Sequence, residues 1–187
     1  MLRRLTVDQV AKDNFYRPIL RELIKQHAVM RGEFTLASGK SSSVYLDLRK
    51  ITLDSMGLKL IVELLKSCLD SRVQAIGGPM TGADPIVGAL VFNLGENGFL
   101  IRGRVKDHGT QQLIEGRLQP GQRVLLVEDV CTSGKSLLHA CEAVEAFGAK
   151  VVQTMAVVDR GAGARDLLKE YNYRYLFSLE DLGITLD

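Results

Sequence analysis

Apolar positions along this chain follow helical spacing at first and then break into short runs. In PILRELIKQHAV, Ile19, Leu20, Leu23 and Ile24 recur on one helical face, with Pro18 near the expected first turn. FTLASGK and SSVYLDLRK alternate around a Ser-Gly turn and predict a hairpin or an irregular pair. A second helix is predicted where Leu58, Ile61, Val62, Leu65 and Leu69 share a face, opening at Asp54 or Ser55. Beyond it, short apolar runs alternate with helices.

Three such units organise the rest. Residues Val73 to Ile76 predict a strand ending in Gly77-Gly78 and the small-residue loop PMTGA. Asp84 as N-cap and Pro85 at the first helical position then open IVGALVFNLG. FLIR predicts the next strand and leads into GRVKDHGTQQLIEGRLQPGQ, which follows neither period. A connection of that length is usually functional. The third unit is VLLV, two acids, and the helix SLLHACEAVEAF closed by Gly148; VVQTMAVVD follows as a buried strand. This alternation predicts an α/β fold, a parallel sheet with helices on both faces. Ligands of such sheets bind beyond the carboxyl ends of the strands, which puts Met80, Arg102, Glu128 and Asp129 at one edge.

Composition narrows the class without choosing a function. The 187 residues predict one domain, with 46% hydrophobic and 25% charged residues as in ordinary globular proteins. A formal net charge of +2 gives no global reason to expect nucleic acid or an acidic membrane surface, so an anionic ligand must be met locally. Cys68, Cys131 and Cys141 are odd in number and lack metal-ligand spacing, which predicts reduced thiols in the cytoplasm. The first twenty residues contain no uninterrupted apolar run, so neither a signal peptide nor a membrane span is expected.

The candidate chemistry lies in VLLVEDVCTSGKS, Val124 to Ser136. Its GKS suggests a nucleotide-binding P-loop, but that motif needs glycine where Asp129 stands. After the strand, the loop Val130 to Gly134 carries backbone N–H groups and the hydroxyls of Thr132, Ser133 and Ser136 to a helix N-terminus. Such a terminus binds phosphate. Glu128 and Asp129 beside it would repel a second phosphate and suit hydroxyls or a metal. Phosphate at one end and vicinal hydroxyls at the other describe a ribose 5-phosphate. An ordinary N-capped turn with solvated acids fits the same pattern.

VLLVEDVCTSGKS resembles the phosphoribosyl-diphosphate (PRPP) motif of the type I phosphoribosyltransferases. FTLASGKSSSVYLDLRK resembles the N-terminal hood segment of orotate phosphoribosyltransferases, and RGRVKDHG with QLIEG resembles their mobile catalytic loop. GGPMTGADPIVGA and VVDRGAGA fall where that family has its diphosphate loop and its base-contacting strand end. The resemblance runs from about Gly32 to Leu182. It implies a parallel-sheet core over about residues 51–187 with a small hood over about 1–50, together one phosphoribosyltransferase domain.

The same resemblance implies roles. Glu128 and Asp129 would hold the ribose 2′- and 3′-hydroxyls, directly or beside Mg²⁺. Thr132, Ser133, Gly134, Lys135 and Ser136 would cradle the 5-phosphate, with Val130 and Cys131 leading into the loop. Arg102, Lys106 and His108 would close on the diphosphate, with Lys106, His108 and Asp129 as the catalytic set. Arg160 would meet the orotate carboxylate, where a planar guanidinium suits a bidentate partner, and Thr132 would lie close to orotate. Taken without the family, Arg160 reads rather as a surface charge at a strand exit. Some members carry lysine where this chain has Ala37, Gly82 and Gly103; at Gly103 the change removes one cation from the diphosphate clamp.

The implied reaction transfers ribose 5-phosphate from PRPP to orotate in the synthesis of UMP, in a cytoplasmic homodimer with shared active sites. A phosphoribosyltransferase for another base and a non-catalytic PRPP sensor are the alternatives. The hood and loop stretches argue against the first. The absence of a nucleic-acid-binding domain or basic face argues against the second.

Overall fold

The structure, a computed structural model, describes residues 7–35, 41–103 and 113–185. The chain divides into two compact units, Met1–Cys68 with Leu179–Asp187, and Leu69–Ser178.

In the first unit, α1 (Val7–Leu23) runs into a single π-helical turn, Ile24–Ala28. Strands β1 (Val29–Thr35) and β2 (Ser41–Leu46) pair antiparallel. Strand β2 falls in the second alternating stretch, whereas β1 starts five residues before the first, most of which, 36–40 with its Ser-Gly turn, lies outside the described residues. A short α2 (Arg49–Thr52) precedes α3 (Ser55–Ser67). Asp54 caps α3 by accepting the Gly57 N–H at 2.7 Å. The apolar face of α3 buries Leu60, Ile61, Leu64 and Leu65, α1 packs against it, and Lys12 pairs with Glu63 at 3.2 Å. Pro18 lies inside α1 rather than in its first turn, so the helix starts well before the predicted point. Leu20 and Ile24, both fully buried, supply packing that overrides the local proline signal.

The second unit is a six-stranded sheet in the order β5-β4-β3-β6-β7-β8. Its strands are β3 (Ala75–Pro79), β4 (Asn97–Ile101), β5 (Ile114–Gly116), β6 (Arg123–Cys131), β7 (Lys150–Asp159) and β8 (Tyr173–Ser178). Every pairing is parallel except β4 with β5. Helix α4 (Asp84–Leu94) connects β3 to β4, and α5 (Lys135–Ala146) connects β6 to β7. These crossovers leave in opposite directions, and with a common hand they must cover opposite faces. The adjacent glycines of β3 bear this out. A Cβ on Gly77 would strike Phe99, which belongs to the same buried cluster as Leu137, Ala140 and Val144 of α5. A Cβ on Gly78 would strike Ala83 and the Val127 carbonyl, beside Val87 of α4. Gly77 and Gly78 therefore lie within the strand, where close approach demands them, and do not end it.

Three further boundaries differ from the sequence reading. Asp84 opens α4 without capping it: Ala83 holds the cap position, and Asp84 Oδ1 is buried with no hydrogen-bond partner. The polar connection after β4 contains β5, and the chain after α6 (Ala164–Leu167) forms the edge strand β8; the sequence pattern predicts neither strand. Strand β6 does not stop at the acids but runs to Cys131, because β7 pairs with it through Val130↔Val158 and Cys131↔Asp159.

Candidate active site

The connections from β3 and β6 diverge between those two strands, which makes their carboxyl ends a topological switch point. A pocket of about 430 Å³ lies there. Pro79, Met80 and Gly82 line it from the end of β3, Arg102 and Gly103 from β4, Glu128 and Asp129 from β6, and Lys135, Ser136 and His139 from α5.

Glu128 and Asp129 are neighbours on an extended strand, so their side chains leave on opposite faces. Asp129 reaches the loop before α4, where its carboxylate occupies the space a side chain on Gly82 would need. Glu128 turns toward α5, where the Cys131 thiol and the Ser136 hydroxyl are near enough to favour its charged form. Burial pushes the Glu128 carboxyl up to about 7, and the Asp129 charge adds to the effect while the two donors oppose it. The Cys131 thiol is pushed up to about 12, first by burial and then by the Glu128 charge, so it remains a donor. One acid is thus charged only in part at neutral pH.

Immediately beyond β6 the chain forms the turn Thr132–Gly134 and enters α5. Gly134 holds the cap position at φ +81°, which favours glycine, and a Cβ there would also crowd Ala164 at 3.1 Å. No side chain caps this helix end, and Thr132, Lys135 and Ser136 are exposed around it. The first-turn N–H groups and those hydroxyls are therefore presented together, as a phosphate site requires.

Among the expected residues, Arg102, Glu128, Asp129, Lys135 and Ser136 meet in the pocket. Thr132 and Ser133 lie on the adjoining turn, half-buried Val130 precedes it, and Cys131 faces the core, fully buried. Arg160 follows β7, is 8% exposed, and donates its backbone N–H to the Cys131 carbonyl at 2.9 Å, which ties it to the same turn. Burial lowers the guanidinium below its ordinary range. Asp159, fully buried beside it, accepts the Gly161 N–H at 2.8 Å and Arg165 Nε at 3.4 Å. Lys106 and His108, like Arg104 and Ala37, lie outside the described residues.

Sequence reasoning missed His139 and Glu115. His139 is one helical turn from Lys135 and shares its face, a spacing visible in the sequence. Glu115 binds Arg102 through its Nε at 2.8 Å and its Nη2, a pairing that only strand register reveals.

Comparison with known proteins agrees with this geometry. Residues 54–181 match the family model of the phosphoribosyl transferase domain. The orotate phosphoribosyltransferase of Rhodopirellula baltica is 42% identical over 176 residues, 87% of this chain and 91% of its own. That of Corynebacterium glutamicum is 42% identical over 174 residues, 90% of this chain and 95% of its own. The crystal structure of Mycobacterium tuberculosis orotate phosphoribosyltransferase in complex with PRPP superposes with a TM-score of 0.77 at 37% identity, covering 90% of this chain and 99% of that one. An open α/β sheet with acids and an anion turn at its switch point is thus the phosphoribosyltransferase fold, and the chain belongs to that family of enzymes. Within the family it falls among the orotate phosphoribosyltransferases.

Proposed function

We propose that the pocket transfers the ribose 5-phosphate group of PRPP to a ring nitrogen of orotate, giving orotidine 5′-monophosphate and diphosphate, a step of de novo pyrimidine synthesis. The observation that carries this reading is the placement of Glu128 and Asp129 at the switch point, directly before the Gly134 turn.

In this reading the hydroxyls of Thr132, Ser133 and Ser136 and the first N–H groups of α5 bind the 5-phosphate. The carboxylates of Asp129 and Glu128 accept hydrogen bonds from the ribose hydroxyls and orient the anomeric carbon. Arg102, Lys106 and His108 bind the diphosphate and offset the charge it gains on leaving. Arg160 binds the orotate carboxylate beside Thr132. As the ring nitrogen of orotate bonds to the anomeric carbon, the C–O bond to diphosphate breaks and the nitrogen's proton passes to the departing diphosphate or to solvent, so no side-chain nucleophile is needed.

The pocket's carboxylates are oxygen donors from two residues only, and no cluster of three or more metal-binding side chains stands among the described residues. That donor set fits Mg²⁺, which favours one or two carboxylates together with phosphate oxygens. Glu128 and Asp129 would hold it beside PRPP, and it would supply positive charge against the diphosphate.

The assembly is a homodimer with shared sites. Exposed apolar side chains on each unit taken by itself support this reading: Leu53 at 74% and Met56 at 54% on the first, and Phe92 at 88% on the second. Cys68, Cys131 and Cys141 form no disulfide among the described residues, which supports a cytoplasmic setting. No helix among the described residues is long and apolar enough to cross a membrane.

A steady-state assay with PRPP, Mg²⁺ and a panel of free bases tests the reaction. Orotidine 5′-monophosphate should form from orotate, with adenine, hypoxanthine and uracil inert. Turnover of another base without orotate would overturn the reading.

A further inference from the structure

Strand β5 is short: Ile114, with Leu113 before it, packs partly buried against the core, and none of its three residues, Ile114 to Gly116, is fully buried. What it does is place Glu115. In the β4–β5 ladder Leu100 lies opposite Glu115 and Ile101 opposite Ile114. Residues two apart on a strand share a face, so Arg102, just past β4, stands diagonally across from Glu115. The backbone locks that diagonal, with the Arg102 N–H donating to the Leu113 carbonyl at 2.9 Å. The side chains complete it: Arg102 Nε donates to Glu115 Oε1 at 2.8 Å, and Nη2 donates to the same oxygen. Arg102 faces the pocket and Glu115 is not part of its lining.

We infer that Glu115 is a positioning residue for the diphosphate of PRPP, holding the Arg102 guanidinium in the pocket wall before the substrate arrives. The inference rests on the assignment of Arg102 to the diphosphate made above.

Two opposed effects decide what this pairing does. Arginine has a long side chain, and one left unheld must be ordered by the ligand, which weakens binding roughly three- to tenfold. Glu115 removes that penalty. Its charge also opposes the approach of an anion. The Glu115 side chain, however, is 38% exposed, so water and salt screen its field, whereas the ordering of Arg102, 19% exposed, is not screened. Positioning wins. The guanidinium has five N–H donors, and two go to Glu115, leaving the rest for phosphate oxygens.

The alternative is that Glu115 merely stitches the hairpin, and kinetics with inorganic diphosphate as the probe separate the two. Wild type, Glu115→Gln, Arg102→Ala and the double variant are compared for KM of PRPP, KM of orotate and inhibition by diphosphate, with melting temperatures recorded. Arg102→Ala should weaken diphosphate on its own, which tests the assignment of Arg102. Glu115→Gln should weaken diphosphate and PRPP roughly three- to tenfold when Arg102 is present, leave the KM of orotate alone, and add nothing in the Arg102→Ala background. Three results for Glu115→Gln overturn the inference while the Arg102 assignment stands: no change, tighter diphosphate binding, or an equal loss with and without Arg102. Should Arg102→Ala leave diphosphate binding unchanged, the assignment of Arg102 falls and the inference with it.

Discussion

Gly82 and Asp129 are in contact across the switch point, and a Cβ on Gly82 would fall on the Asp129 carboxylate. Glycine at this position lets the acid lie against the loop backbone. Some family members have lysine here, but in this chain any side chain would have to displace Asp129. The backbone of Gly82 is not in the left-handed region, so alanine imposes no strain of its own. Gly82→Ala should therefore move the carboxylate rather than unfold the protein. Misplacing a positioning group by about 1 Å can cost on the order of 100-fold, so kcat/KM for PRPP should fall roughly ten- to a hundredfold. The melting temperature should stay within a few degrees, roughly, of wild type. Wild-type kinetics in this variant would show that the position of Asp129 does not govern ribose handling.

Glu128 makes a prediction about stability. Its folded pKa of about 7 lies above the ordinary 4.5, chiefly because of burial. Below 4.5 both folded and unfolded chains hold the proton, and the group contributes nothing. As pH rises toward 7 the unfolded chain ionises first, so stability falls, and the cost is complete above about 7. Glu128→Gln removes the ionisation. Without Mg²⁺ or PRPP it should stabilise the protein at pH 8 by roughly 1–3 kcal/mol, with little gain near pH 5. The same variant should lose turnover, an exchange of stability for function expected at a partly buried acid in a substrate pocket. Denaturant melts at both pH values check this; equal gains at the two would show that ionisation is not the cause.

The sequence made the core of this site legible and left its supports hidden, for physical reasons. VLLV followed by two acids and a glycine turn is a local pattern, so Glu128, Asp129 and Ser136 can be placed without a structure. That β6 continues to Cys131 depends on β7 pairing with it, and pairing is non-local. Gly77-Gly78 reads as a turn because glycine has two uses, and only the Phe99 ring and the Val127 carbonyl decide between them. Asp84 before proline reads as a cap by the same local logic, yet its buried Oδ1 bonds no N–H. Strand β5 has too few residues to show alternation, so Glu115 stays invisible until register sets it diagonal to Arg102.

Arg160 tests the base end of the site. It is nearly buried at the end of β7, where burial lowers its guanidinium, and a carboxylate partner would favour the charged form. Arg160→Ala should raise the KM of orotate about ten- to a hundredfold, the loss of a charged hydrogen bond, and change the KM of PRPP far less. A variant that loses PRPP but keeps orotate would place Arg160 elsewhere in the reaction.

The last prediction concerns which subunit supplies Lys106. If the segment carrying Lys106 acts on the neighbouring subunit, Lys106 serves in trans while Asp129 serves its own chain. Lys106→Ala and Asp129→Asn should each be nearly inactive alone. Mixed under conditions that exchange subunits, about half of the dimers pair one chain of each kind. In such a dimer one site joins an intact Asp129 to the partner's intact Lys106, and the other site carries both lesions. Half the dimers, each with one of two sites working, give roughly a quarter of wild-type activity per subunit. Were Lys106 to serve its own subunit, every site would keep one lesion and the mixture would stay as inactive as its parts. Native mass spectrometry of the mixture establishes that subunits have exchanged, so a lack of recovery would assign Lys106 to its own chain.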